Sequence, residues 1–116
     1  MSKVEITVGG DFEANSARRF TQAWRRGEKG ERFSERHLAF ESWEALARIL
    51  TGKRTELLRY VRRHEVGSIR KLATALGRDY SNVHADVRAL AAEGLLDTQG
   101  GRLRADYDVI ETKIAL

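Results

Sequence analysis

The sequence contains no cysteine and no proline, and only three histidines in 116 residues. Without cysteine, the chain cannot form disulfide bonds, use a thiolate in catalysis, or bind zinc or an iron–sulfur cluster through sulfur. The histidines, at positions 37, 64 and 84, are too scattered to predict a metal triad. We therefore predict no metal and no cofactor, and the lack of cysteine fits a cytoplasmic protein.

Long apolar runs are also missing. The N-terminal MSKVEITVGGDF has no apolar run of signal-peptide length, and nowhere do about 18 consecutive apolar residues occur, as a membrane span would need. No spacing of serine, histidine and acidic residues singles out a nucleophile. We expect neither a membrane protein nor an enzyme, and the 41% hydrophobic and 33% charged content is typical of a soluble globular chain.

Positive charge is concentrated in two inner blocks. The net charge is +4, yet residues 18–36 carry +4 and residues 52–104 carry +5, while both ends are acidic. Arginine dominates these blocks, and its planar guanidinium matches phosphate groups and base edges. The distribution favours a polyanion as partner.

The first part of the chain, residues 1–37, is predicted to be an extension made of a strand and a helix. Apolar residues alternate with polar ones over 4–8, which predicts a strand, and helical spacing over 11–26 predicts a helix. We expect this extension to serve dimerisation or partner binding. Phe20 and Trp24 on its helix are the candidate partner contacts, with packing on the chain's own core as the alternative. The arginines of the same helix are alternatively a second phosphate-binding patch, and they are Arg18, Arg19, Arg25 and Arg26.

The segment that follows is predicted to be a linker and a helix. Residues 27–36 are typical of an exposed linker, and 37–40 form a short apolar patch. Ser42 can cap a helix that includes Trp43 and Leu46. We expect Trp43 to lie in the core.

Three helices and a hairpin are predicted next. A helix over about 53–64 has a strongly basic polar side. Ser68 can cap the second helix and Gly77 can end it, and a tight turn leads to a third helix that runs to Gly94. Residues 95–104 then read as a strand, a glycine turn and a strand.

The C-terminal tail predicts a last strand. Every second residue from 110 to 116 lies on one face of a strand, and these residues are Ile110, Thr112, Ile114 and Leu116, although a helix is an alternative. Such a strand needs a partner, because an unpaired edge is a liability. The N-terminal strand of the same chain or of a second copy can supply it, so Ile110 and Ile114 are candidate partner-binding residues.

Two short helices, a tight turn and a basic hairpin fit a winged helix-turn-helix, which places its second helix in the DNA major groove. On that helix, Asn82 can pair with adenine edges and Arg88 with guanine or phosphate. The alternatives are an ordinary solvated face and a hairpin charged for solubility. The predicted DNA contacts are Ser68, Arg70, Lys71, Arg78, Tyr80, Ser81, Asn82, His84, Arg88, Arg102 and Arg104.

The stretch SIRKLATALGRDYSNVHADVRALAAEGLL resembles the winged helix-turn-helix of the MarR-like predicted transcriptional regulators of bacteria and archaea, several of which are proposed antitoxins. The preceding AFESWEALARILTGKRTELLRYV is similar to the lead-in helices of that family. The resemblance implies a mainly helical α+β fold, with the DNA-binding domain at residues 38–116.

The resemblance also implies a sequence-specific regulator, a repressor or autoregulator that binds double-stranded DNA. Operator symmetry in this class favours a homodimer. One form would be an antitoxin with a cognate toxin protein as partner. The alternatives are an interaction module that neutralises a partner protein, with DNA binding secondary, and an RNA-binding winged helix.

Overall fold

A computed structural model describes residues 2–9 and 35–116, and this part of the chain is an α+β structure of four helices and a three-stranded parallel sheet. The predicted α+β class is thus confirmed. The elements are β1 (Lys3–Val8), β2 (Glu35–Phe40), α1 (Trp43–Ile49), α2 (Gly52–Arg63), α3 (Ile69–Leu76), α4 (Tyr80–Ala92), a 3₁₀ turn (Gln99–Gly101) and β3 (Val109–Ile114). The helix predicted over 11–26, with Phe20 and Trp24, lies outside the described residues.

The chain divides into two compact units. One unit, here the sheet unit, comprises residues 1–47 and 107–116, and the other, the helical unit, comprises residues 48–106. The C-terminal tail groups with the N-terminus because β3 pairs with β1. The division therefore differs from the predicted boundary after residue 37, which placed the tail with the helices.

In the sheet unit the strand order is β2-β1-β3, and both pairings are parallel. The central strand is buried on both faces: Val4, Ile6 and Val8 lie on one face, and Glu5 and Thr7 lie on the other. An ion pair joins the Glu5 carboxylate to the Lys113 ammonium, with Nζ and Oε1 3.5 Å apart. The predicted N-terminal strand is confirmed. It is the central strand of the sheet and is buried on both faces, whereas its alternating pattern predicted a half-buried strand.

The predicted C-terminal strand is also confirmed, and β1 of the same chain is its partner. Ile110 is half-buried and lies beside Val4 in the register, whereas the Ile114 side chain is 56% exposed at the far end of β3. Gly9 ends β1 with a φ of 78°, and a Cβ there would lie 3.0 Å from the Ala115 carbonyl oxygen. The close approach of the tail thus favours glycine at this position.

Two expectations for the segment around residue 40 were wrong. Residues 35 and 36, predicted as linker, and the apolar patch at 37–40 together form β2. Trp43, expected in the core, is 54% exposed at the first position of α1, whereas Leu46 is buried. Leu46 is the buried residue of α1, and Trp43, three positions earlier at the helix start, stays in contact with solvent. The predicted Ser42 cap is confirmed, since its Oγ accepts a hydrogen bond from the Ala45 N–H at 3.2 Å.

The helical unit is built around the predicted apolar stripes. The buried apolar side chains come from α2, the segment before α3, α3, α4 and the hairpin, and they are Leu57, Leu58, Val61, Val66, Leu72, Ala73, Val83, Val87, Leu90, Leu95, Leu96, Leu103 and Ala105. Ser68 Oγ caps α3 by accepting from the Lys71 N–H at 3.1 Å. Gly77, with a φ of 65°, ends α3, and Asp79 caps α4. The predicted helix limits are confirmed within about two residues.

After α4 the chain makes a small hairpin. Asp97 and Arg104 form an antiparallel bridge, with backbone hydrogen bonds of 2.8 and 2.9 Å. The return arm of the hairpin also reaches Val66, whose carbonyl accepts from the Leu103 N–H at 3.0 Å. The hairpin is therefore tied to the segment that precedes α3. No helix in the described ranges is long and apolar enough to cross a membrane.

Candidate nucleic-acid interface

One side of α4 faces solvent and carries small, polar and cationic side chains. Ser81, Asn82 and Arg88 are exposed, as is Ala85 between them. The opposite side of the helix packs into the core through its buried valines and Leu90. With about 100° per residue, this division leaves a continuous outer stripe, which we call the α4 face. The α4 face carries the Arg88 guanidinium, the Asn82 amide and the Ser81 hydroxyl.

At the start of α4, an aromatic and cationic cluster connects α4 with α3. The Arg70 Cζ atom lies 4.9 Å from the centroid of the Tyr80 ring. The Tyr80 and His84 rings are tilted by 41°, with their centroids 5.7 Å apart. A cation over an aromatic face is attracted by the ring quadrupole. The contact places the Arg70 guanidinium at the start of α4, and a guanidinium over a ring face can still donate its N–H groups to an acceptor.

Arg78 is placed differently from the other predicted contacts. Its Nη2 donates to Asp86 Oδ2 at 2.8 Å, and its side chain is only 20% exposed. Its Nη1 is buried and has no hydrogen-bond partner among the described residues. This position favours a role in fixing the turn before α4 over direct contact with a ligand.

Asp86 accepts from a second arginine, which the sequence reasoning did not single out. Arg54 Nε donates to Asp86 Oδ1 at 3.0 Å. Arg54 Nη1 also donates to the carbonyls of Arg48 and Ile49, both at 3.0 Å, at the end of α1. We call Arg54, Asp86 and Arg78 the Asp86 cluster, and it joins the end of α1, α2, the turn and α4.

One weak sequence signal could have pointed to this cluster. Asp86 is the only acidic residue within α4, and aspartate is a poor helix former away from a helix start. Its partners lie 8 and 32 positions away, and no short-range rule pairs residues at those separations. The sequence therefore indicates that Asp86 is unusual, but it does not predict that Arg54 and Arg78 are its partners.

The remaining predicted contacts lie on α3 and on the hairpin. Lys71, Arg102 and Arg104 are exposed, and all three line one open cleft. Ser68 is half-buried, and its hydroxyl is occupied as the cap of α3. The predicted contacts therefore separate into the α4 face, the group of Arg70, Tyr80 and His84 at the start of α4, and the cleft. Ser68 and Arg78 form hydrogen bonds within the fold.

The family of the chain is known from a comparison with family models. Residues 49–112, more than half of the chain, match the HVO_A0114 family, and the chain belongs to that family. The match begins at the end of α1, includes α2, α3, α4 and the hairpin, and ends within β3. No curated protein and no solved structure gives a significant match.

Proposed function

We propose that the chain is a DNA-binding transcriptional regulator, and that its helical unit is a winged helix-turn-helix of MarR-like type. The observation that carries the proposal is the order of α3, the turn at Gly77, α4 and a hairpin whose return arm bridges back to Val66. In a helix-turn-helix, the second helix of the pair enters the major groove. Here that helix is α4, and its outer side is the polar α4 face.

The chemistry of the α4 face supports base recognition. The Asn82 amide can bond the N6 and N7 edge of adenine, and the Arg88 guanidinium can bond guanine or a phosphate. Arg70, held over Tyr80, is suited to a backbone phosphate beside the groove. The net charge of +5 over residues 52–104 adds a salt-dependent attraction to any duplex.

A binding assay with DNA from upstream of the protein's own gene tests the proposal. The double variant Asn82→Ala, Arg88→Ala should lose at least about thirtyfold in affinity for this DNA, because each of the two base contacts contributes about 1–3 kcal/mol and every 1.4 kcal/mol is about tenfold. The matched control is Arg59→Ala, which removes one exposed cation from α2. The control should weaken DNA binding only by the small amount expected from the loss of one positive charge. Absence of binding by the wild type at low salt would refute the proposal.

We propose a homodimer as the functional state. Half-site symmetry of operators favours two copies, and β3 is an edge strand of the described sheet, with Ile114 56% exposed. Light scattering on the wild type and on Ile114→Lys tests the proposal, and the variant should shift towards monomer. A monomeric wild type at the concentrations of the DNA assay would contradict it.

A partner-neutralising module is the second candidate, and exposed Trp43 and Ile114 favour it as apolar contacts for another protein. In this reading the partner would be a toxin encoded beside the chain. Co-expression with the neighbouring gene product, with and without Ile114→Lys, distinguishes it from the regulator. A complex that the substitution disrupts, together with absent DNA binding, would favour the second candidate.

A further inference from the structure

An open cleft of about 440 Å³ lies within the helical unit, apart from the α4 face. Its walls come from the end of α2, the segment 64–67, the start of α3 and the return arm of the hairpin. The charged side chains that line it are the cations Arg62, Lys71, Arg102 and Arg104 and the carboxylates Glu65 and Asp106. Elements distant in sequence thus bring four cations to one concave surface.

Three of these four cations have no ionic partner within the described part of the chain. Lys71, Arg102 and Arg104 make no ion pair with any residue that the structure describes. Lys71 folds back over the chain, and its Nζ would lie 3.7 Å from a Cβ placed on Gly67. Arg62 is held at the wall, since its Nη1 donates to the Ala105 carbonyl at 3.5 Å.

We propose that this cleft binds a phosphate group. A phosphate offers several acceptor oxygens in a tetrahedral arrangement, and cations from three separate elements can reach them from different sides. Arginine and lysine form charge-assisted hydrogen bonds to phosphate, which are about twice as strong as neutral ones. The start of α3 adds the positive end of a helix dipole. The cations outnumber the two carboxylates, so the cleft favours an anion.

Two sources can supply this phosphate group: the backbone of DNA and a free phosphorylated small molecule. The cleft shares Lys71, Arg102 and Arg104 with the proposed DNA interface, so a backbone phosphate here would anchor the hairpin beside the duplex. A free phosphorylated molecule would compete with DNA for the same cations. Inorganic phosphate can serve as a probe of the cleft in the absence of DNA and of any phosphorylated small molecule. Its binding does not depend on the α4 face.

Titration of the full chain with inorganic phosphate, followed through backbone amide NMR shifts, tests the cleft. The wild type should show saturable shifts at Gly67 and Leu103. The double variant Lys71→Gln, Arg104→Gln should bind phosphate about tenfold more weakly, because two charged donors are lost. The matched control, Arg59→Gln with Arg63→Gln, removes the same charge from exposed positions of α2 outside the cleft and should change little.

The proposal is overturned if the wild type shows no saturable shifts, or if the two double variants bind phosphate equally. The Asn82→Ala, Arg88→Ala variant should keep normal phosphate binding even if it loses DNA, which separates the cleft from the proposed function.

The same variants, titrated with a duplex of unrelated sequence, identify the source of the phosphate. With DNA as the source, the cleft variant should lower the slope of log affinity against log salt by about one per lost phosphate contact, beyond the change in the control. Equal slopes in both variants, with inorganic phosphate binding lost only in the cleft variant, would assign the cleft to a free phosphorylated molecule.

Discussion

Replacing Asp86 by asparagine should destabilise the helical unit by far more than an ordinary surface substitution. The carboxylate accepts from Arg54 Nε at 3.0 Å and from Arg78 Nη2 at 2.8 Å. The side chain of Asp86 is 14% exposed, and those of the two arginines are 18% and 20% exposed. Asparagine has the same shape, so the substitution removes the negative charge without opening a cavity.

The magnitude follows from how buried the cluster is. An exposed ion pair contributes about 0–1 kcal/mol, whereas removal of one partner from a fully buried pair costs about 3–5 kcal/mol. The Asp86 cluster retains limited access to water, which lowers the free-energy cost of removing the charge. Asp86 accepts bonds from two guanidinium groups, which raises that cost. We expect a loss of about 2–3 kcal/mol in the free energy of unfolding.

Urea unfolding followed by circular dichroism measures this loss. The control is Asp106→Asn, because Asp106 is exposed and forms no ion pair within the described part of the chain. It removes the same charge and should change stability by less than about 0.5 kcal/mol. An Asp86→Asn loss no larger than that of the control would refute the reasoning. A double variant with Arg54→Gln should lose less than the sum of the single losses, since both remove one interaction.

Three further substitutions test other features of the structure. Gly77→Ala should cost about 1 kcal/mol in thermal unfolding, because a φ of 65° disfavours any residue with a Cβ; an unchanged midpoint would contradict that conformation. Trp43→Phe should leave stability within about 0.5 kcal/mol and remove a water-exposed component from the fluorescence spectrum, whereas a large loss of stability would contradict its 54% exposure. Burial, opposed by a smaller effect of Arg36, raises the pKa of Tyr107 from 10.0 to about 12. The folded state therefore keeps this proton longer than the unfolded state, so stability should fall as the pH rises from 10 towards 12. Tyr107→Phe should flatten that fall, and an equal fall in the variant would exclude Tyr107 as its cause.

The sequence predicted the helical unit well because its signals are local. Ser68 and Gly77 mark the ends of α3 through contacts within a few residues, and the apolar stripe of α4 follows from helix periodicity alone. Each of these features depends on neighbouring residues, so one stretch of sequence contains the whole signal.

The sheet was harder to predict because its pairings join distant parts of the chain. β1 pairs with β2 and β3 in parallel, so neither pair is joined by a hairpin turn. The sequence therefore contains no turn signal that would predict either pairing. The partner of β3 is more than 100 residues away, at Lys3 to Val8. Only the alternation within each strand was visible, which predicted β1 and β3 and missed β2.

Arg78, which the sequence predicts as a DNA contact, donates to Asp86 in the structure. An arginine at the start of a candidate recognition helix has the right chemistry for DNA, and only the fold shows that it reaches inward to Asp86. An apolar trio of similar volume would often stabilise a fold as well or better, so stability alone does not account for a partly buried carboxylate with two arginines. The bonds from Arg54 and Arg78 to Asp86 have defined directions, so they oppose a rotation of α4 about its axis. Since a rotation of one residue turns Asn82 and Arg88 by about 100°, a fixed rotation is what base recognition by the α4 face would require.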